Sequence, residues 1–125
     1  MERTELKPAS KPYDLRERLF LFACTVVHVV KFLHTQGPIG AALSYQILKA
    51  GTSAGANYEE ANDGTGPRDA LAKTRIVLRE LKEVRWRARV LRATGFLGPS
   101  HDSVIVEADE LVRIVATIVR NKSAK

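Results

Sequence analysis

The chain has 125 residues and a mass of 13.8 kDa, is 45% hydrophobic, and carries 20 Lys or Arg against 14 Asp or Glu. One domain of that size and composition is expected, not a disordered chain, and the formal net charge of +6 admits an anionic partner without naming one. The single cysteine, Cys24, excludes an intrachain disulfide framework and a cysteine-rich zinc site, and its apolar surroundings predict a buried, inert thiol. No N-terminal stretch reads as a signal peptide. The longest apolar-rich run, residues 19–33, is interrupted by Thr25, His28 and Lys31 and is too short and polar to cross a bilayer. A cytosolic protein with no membrane partner is the expectation.

Residues 1–12, with Pro8 and Pro12, predict a flexible arm ahead of a single domain over 13–121. Leu15, Leu19, Phe22, Val26, Val29 and Leu33 recur at steps of four and three, which is one apolar face of a helix over 13–35. Asp14 is placed to cap its start, and Gln36-Gly37-Pro38 ends it.

Leu43, Ile47, Ala50, Ala54, Asn57 and Ala61 carry the same step through a second helix, 38–62. That helix includes the small-residue run GTSAGAN at 51–57, which reads as a thin helical middle that lets another backbone come close. Asn57 falls on the inward face, where it needs a hydrogen-bond partner. The stretch Asn62 to Gly66 breaks the pattern, and Pro67 suits the first turn of a third helix, 67–94. Its apolar stripe is Ala70, Thr74, Val77, Leu81, Val84, Ala88 and Leu91. After Gly95 and Gly98-Pro99-Ser100, a fourth helix over 102–121 carries Val104, Ala108, Leu111, Val115 and Ile118, and residues 122–125 are expected to fray. No segment alternates as a strand would. An all-α, antiparallel up-down-up-down four-helix bundle is predicted.

Two features exceed what a monomeric bundle needs. The first helix also carries Phe20, Leu21, Ala23, Val27, Val30 and Phe32, so it is apolar nearly all round and calls for a subunit interface. The third helix carries a second line, Arg75, Arg79, Lys82, Trp86 and Arg89, on the side away from its apolar stripe. Residues 67–93 hold nine Lys or Arg against three acids, so the chain's net charge is concentrated there. Two readings stay open: a solvated face with Trp86 against a neighbouring subunit, or cations that meet phosphates with the indole as a stacking surface.

Enzyme chemistry finds little footing. Glu59, Glu60, Glu80 and Glu83 supply carboxylates on adjacent helices, but none of His28, His34 and His101 has the Glu-x-x-His spacing of a bundle di-iron site. Nearby cations favour the ionised carboxylates, so ion pairing is their expected role. Ser53 in G-T-S-A-G lacks the nucleophile-elbow spacing. No cofactor, metal or catalytic residue is expected.

The run from Gln46 through Ala61 resembles the signature of the small four helix bundle protein family, also called the S23 or ribosomal RNA intervening-sequence family. Asp69, Leu71, Lys73, Leu78, Glu80, Glu83, Arg85 and Trp86, then the stretch Glu110 to Ile114, resemble its later motifs, with coverage of roughly 13–121. Arg87-Ala88 after the tryptophan, and leucine at position 71, depart from the family's pattern. The resemblance marks Ser53, Ala54, Asn57, Glu60, Glu80 and Glu83 as structural signature residues. It implies a four-helix protomer in a ring-like homopentamer and, in some relatives, accessory subunits of diversity-generating reverse transcriptases that contact nucleic acid and polymerase. The expected function is a non-enzymatic homo-oligomer that binds RNA or DNA, or alternatively a structural, protein-binding scaffold.

Overall fold

The computed structural model describes residues 14–124. The arm expected over 1–12 lies outside the described residues. Four helices follow in order: α1 (Leu15–Leu33), α2 (Gly37–Ala61), α3 (Pro67–Ala93) and α4 (Asp102–Ser123), with a short 3-10 turn at Pro99–His101. Among the described residues there is no strand. Each helix packs on its sequence neighbours, and the short connections reverse the chain each time, as predicted.

Local chemistry sets the ends. Asp14 caps α1 by accepting from the Arg16 backbone N–H at 3.0 Å. Proline occupies the first turn of both α2 and α3, where no intrahelical N–H is needed. After α3 the chain turns at Gly95, whose φ of 87° lies in the left-handed region that favours glycine. The N–H groups of Phe96 and Leu97 then return to the Leu91 carbonyl at 2.9 and 3.2 Å, closing the helix end. The last helix runs on past its expected end at residue 121, and Arg75 Nη2 of α3 donates to Ser123 Oγ at 3.2 Å.

The core is the four apolar stripes turned inward. Leu19, Val26 and Leu33 of α1 meet Ile47 and Ala54 of α2, Val77, Leu81 and Val84 of α3, and Ala108, Leu111 and Val115 of α4, all buried. Each large aliphatic side chain buried in this way contributes about 1.5–3 kcal/mol of transfer free energy. The thin middle of α2 accommodates α1. A Cβ on Gly51 would lie 2.7 Å from both Val26 γ-methyls, and one on Gly55 would lie 3.5 Å from Leu19 Cβ. Small residues here exchange buried side-chain area for close helix approach.

Three details differ from the sequence reading. Leu43 is 38% exposed, and the α2 stripe begins instead at Gly40 and Ser44, because this end of α2 faces the α1–α2 turn. Asn57 is only partly buried, and its Nδ2 donates to Ser53 O within the same helix at 3.0 Å. Its polar group is therefore satisfied at the rim and does not enter the apolar stripe. Cys24 is likewise only partly buried, since it sits on the flank of α1 beside the inward stripe.

The bundle closes unevenly. α1 meets α4 through far fewer residues than the sequential pairs do, leaving a cleft of about 430 Å³ lined by Phe22, Thr25, Ser103, Val104, Val106 and Glu107. The seam is held at one end by Arg18, whose Nε and Nη2 donate to the two Glu107 oxygens, each at 2.9 Å, while Nη2 also reaches Glu110. Glu107 first, with help from Glu110, holds the guanidinium even more firmly protonated than usual. At the other end the rings of Phe32 and His101 meet with centroids 4.6 Å apart.

Candidate functional site

The outer face of α3 is the strongest candidate site. Its inward residues Thr74, Val77, Leu81, Val84, Ala88 and Leu91 are buried, which turns the opposite side of the helix to solvent. Arg75, Arg79, Lys82, Trp86 and Arg89 are all exposed and follow one line, as their spacing predicted. The line is longer than the sequence reading made it. Stepping back from Arg75 by one heptad reaches Arg68, with Ala72 between, and both are exposed. From Arg68 to Arg89 the seam is 21 residues of helical rise, about 32 Å, and no acid lies on it.

The structure divides the nine α3 cations into two sets. Those on the flanks face neighbouring helices or turns and are neutralised there. Lys73 Nζ meets Glu60 of α2 at 2.6 Å, Arg85 meets Asp109 of α4 at 2.8 Å, and Arg92 meets Asp102 at 2.8 Å. Arg87 pairs with Glu83 one turn back at 2.8 Å. The Glu60 carboxylate holds the Lys73 ammonium above its ordinary value, chiefly through their hydrogen bond. The seam cations are different. Among the described residues, Arg68, Lys82 and Arg89 have no carboxylate within 4.0 Å, and Arg79 has only a 3.7 Å approach from Glu80. Arg75 has the Ser123 hydroxyl. Charge on the seam is thus left for solvent or a ligand.

The signature residues do not assemble a site. Ala54 is core, Ser53 Oγ donates to Ala50 O at 3.3 Å, and Asn57 bonds its own helix. Glu60, Glu80 and Glu83 go to the ion pairs just described. Among the described residues, no three His, Cys, Asp or Glu side chains converge as a metal site would require. A Ser–His contact that sequence reasoning missed links Ser44 Oγ and His34 Nε2 at 3.2 Å. Ser44 Oγ also donates to Ala41 O of its own helix at 2.7 Å, and the residue is 1% exposed. At that burial the hydroxyl is out of reach of a substrate in this structure.

Trp86 is the other chemical feature of the seam. It is 62% exposed and borders a cleft toward α4 lined by Arg89, Val90, Arg92, Ala93 and Ile105. A smaller hollow toward α2 lies among Leu43, Arg87, Val90 and Leu91.

These features define an all-α four-helix bundle that presents a basic, tryptophan-bearing helix. No helix among the described residues is long and apolar enough to cross a membrane. No family model matches the chain, and neither does any curated protein. Among solved structures it is similar to a protein of unknown function from the S23 ribosomal protein family of Bacteroides thetaiotaomicron. The two are 27% identical, the match covers 85% of this chain and 98% of that one, and the TM-score is 0.77. The chain is therefore homologous to an S23-family protein, as the resemblance of residues 46–61 and 69–86 implied.

Proposed function

We propose that the protein is a non-enzymatic homo-oligomer that binds RNA or DNA along the α3 seam. The observation that carries this reading is the sorting of the α3 cations. Flank cations are matched by acids, whereas of the five on the seam, spaced along about 32 Å of helix, only Arg79 has an acid within 4.0 Å among the described residues. A face that served only solubility would have no need to exclude acids. Phosphates are the ligand chemistry that such a row attracts, with counterion release as the main driving term.

Assembly is supported by a separate surface. Phe20 is 60% exposed on α1, with Val27 and Phe32 also partly uncovered, and a subunit contact would remove that area from water. A pentamer is what the family resemblance leads us to expect. α1 packs chiefly on α2 and the exposed side of α3 turns away from the shared core, so assembly through α1 is compatible with an accessible α3 seam.

Fluorescence anisotropy with short labelled RNA and DNA, at several salt concentrations, tests the proposal. Binding should weaken as salt rises, with a log–log slope that counts the phosphates engaged. Absence of binding at low salt would remove the nucleic-acid part. The scaffold alternative draws on Leu43, Trp86 and Val90, which form an exposed apolar strip beside the seam. It predicts instead that reversing seam charges dissolves the oligomer.

A further inference from the structure

We propose that the seam takes single-stranded nucleic acid, with an unpaired base stacked on Trp86 at the α3–α4 cleft. This rests on the phosphate-binding reading above and specifies the form of the ligand. Trp86 is the chain's only tryptophan and stands between Lys82 and Arg89, at steps of four and three along the exposed line. A duplex lying on the seam would give that indole little, because paired bases keep their faces inside the stack and turn sugar and phosphate outward. A single strand offers a π-face at every base, and stacking on an aromatic side chain tolerates any sequence.

The surroundings of the indole fit that occupant. The cleft toward α4 holds about 420 Å³, with Val90, Ala93 and Ile105 supplying apolar surface and Arg89 and Arg92 supplying guanidinium groups. Arg92 is fixed by Asp102 at 2.8 Å and shapes the wall. Arg89, which has no carboxylate partner among the described residues, is left for a phosphate or for the second face of the base. Phosphates on either side of the stacked nucleotide then meet Lys82 and Arg89. A second copy of this chain is the competing occupant, since Leu43 and Val90 flank the indole. The charge favours nucleic acid: another copy brings the same net +6 toward a basic row in which only Arg79 has an acid within 4.0 Å among the described residues, and a polyanion brings the opposite sign.

The lone tryptophan is its own reporter. Intact protein is titrated with oligothymidylate and with a duplex of equal length, following Trp86 emission and the anisotropy of the labelled nucleic acid. Quenching by the single strand is expected, with binding at least about fivefold tighter than to the duplex. Trp86→Ala should weaken single-strand binding by about tenfold and leave duplex binding nearly unchanged, while Trp86→Phe keeps most of the affinity. Helical circular dichroism controls for folding, which an exposed side chain should not disturb. Equal binding of both forms with unchanged emission would overturn the inference and leave the phosphate-binding reading standing. So would a Trp86→Ala loss shared equally by both forms. Failure to bind either form at low salt would overturn both. Emission already shielded from acrylamide before nucleic acid is added would place Trp86 against another subunit and overturn the inference as well.

Discussion

Gly51 and Gly55 face the same helix and predict opposite outcomes on gaining a methyl group. A Cβ at 51 meets both Val26 γ-methyls at 2.7 Å, and a β-branched residue in a helix has essentially one rotamer, so it cannot swing aside. Gly51→Ala should therefore lose about 1–3 kcal/mol to overpacking, more than the roughly 1 kcal/mol gained in helix propensity. At 55 the nearest atom is Leu19 Cβ at 3.5 Å, an ordinary contact. Gly55→Ala is expected to be neutral or to stabilise by up to about 1 kcal/mol. Urea denaturation of the two variants reads the difference, and equal stability would sink the close-packing account. Ala54, fully buried in the same seam, should tolerate leucine no better than Gly51 tolerates alanine. Arg18 is a second test at this scale. Its side chain is 12% exposed and clamps Glu107 and Glu110, so Arg18→Met should cost about 1–3 kcal/mol. Hydrogen exchange should then rise first in the amides at the start of α1 and along α4 beside it.

At the scale of elements, α3 has two faces with separable roles. Its buried stripe holds the bundle together, and its seam is exposed, with the Arg75–Ser123 hydrogen bond reaching another helix. Replacing Arg79 and Lys82 by glutamate should thus change stability by no more than about 0.5 kcal/mol, as exposed substitutions do. The same change should abolish nucleic-acid binding, because it puts two acids in the middle of an acid-free row. Thermal melts together with anisotropy check both halves. If the double variant instead falls to monomers in light scattering while the parent does not, the seam is a subunit contact and the scaffold reading is the better one. The α1 N-cap and the backbone turns at the helix C-termini offer little functional information by comparison, since local hydrogen bonds account for them.

For the molecule as a whole, the question is how many copies act together. A chain of 125 residues leaves Phe20, Ile39, Tyr45, Trp86 and Val106 largely exposed, an apolar load that a monomer carries at some risk of aggregation. Size exclusion coupled to light scattering should give a discrete oligomer, with five copies as the size expected from the family resemblance. Phe20→Lys should shift the mass toward the monomer without loss of helical signal, because the side chain is 60% exposed and lies outside the buried core cluster. A monomeric parent protein would end the assembly proposal. Multiple copies would also matter for binding, since several seams on one particle act on one nucleic-acid strand as a multivalent surface.

Much of this was legible in the chain itself. Steps of three and four placed all four helices, the inward faces of α1, α3 and α4, and the exposed line through Arg75 and Arg89, because helix periodicity is a property of neighbouring residues. Arg68 belonged to that line by the same heptad step and was reachable by extending it. Leu43 and Asn57 were misplaced for the converse reason. Both lie at the edge of the α2 stripe, where the neighbouring helices and the α1–α2 turn decide what is covered, and no local pattern reports that. The same holds for the ion pairs. Nine cations on α3 look alike in sequence; the Glu83–Arg87 pair has a helical spacing that can be read there, but only the positions of Glu60, Asp102 and Asp109 on other elements reveal that Lys73, Arg92 and Arg85 are neutralised. The sequence by itself determined the helices and their amphipathic faces. Tertiary structure alone decided which charges are matched across helices, because such pairing depends on residues far apart in the chain being brought within 4.0 Å.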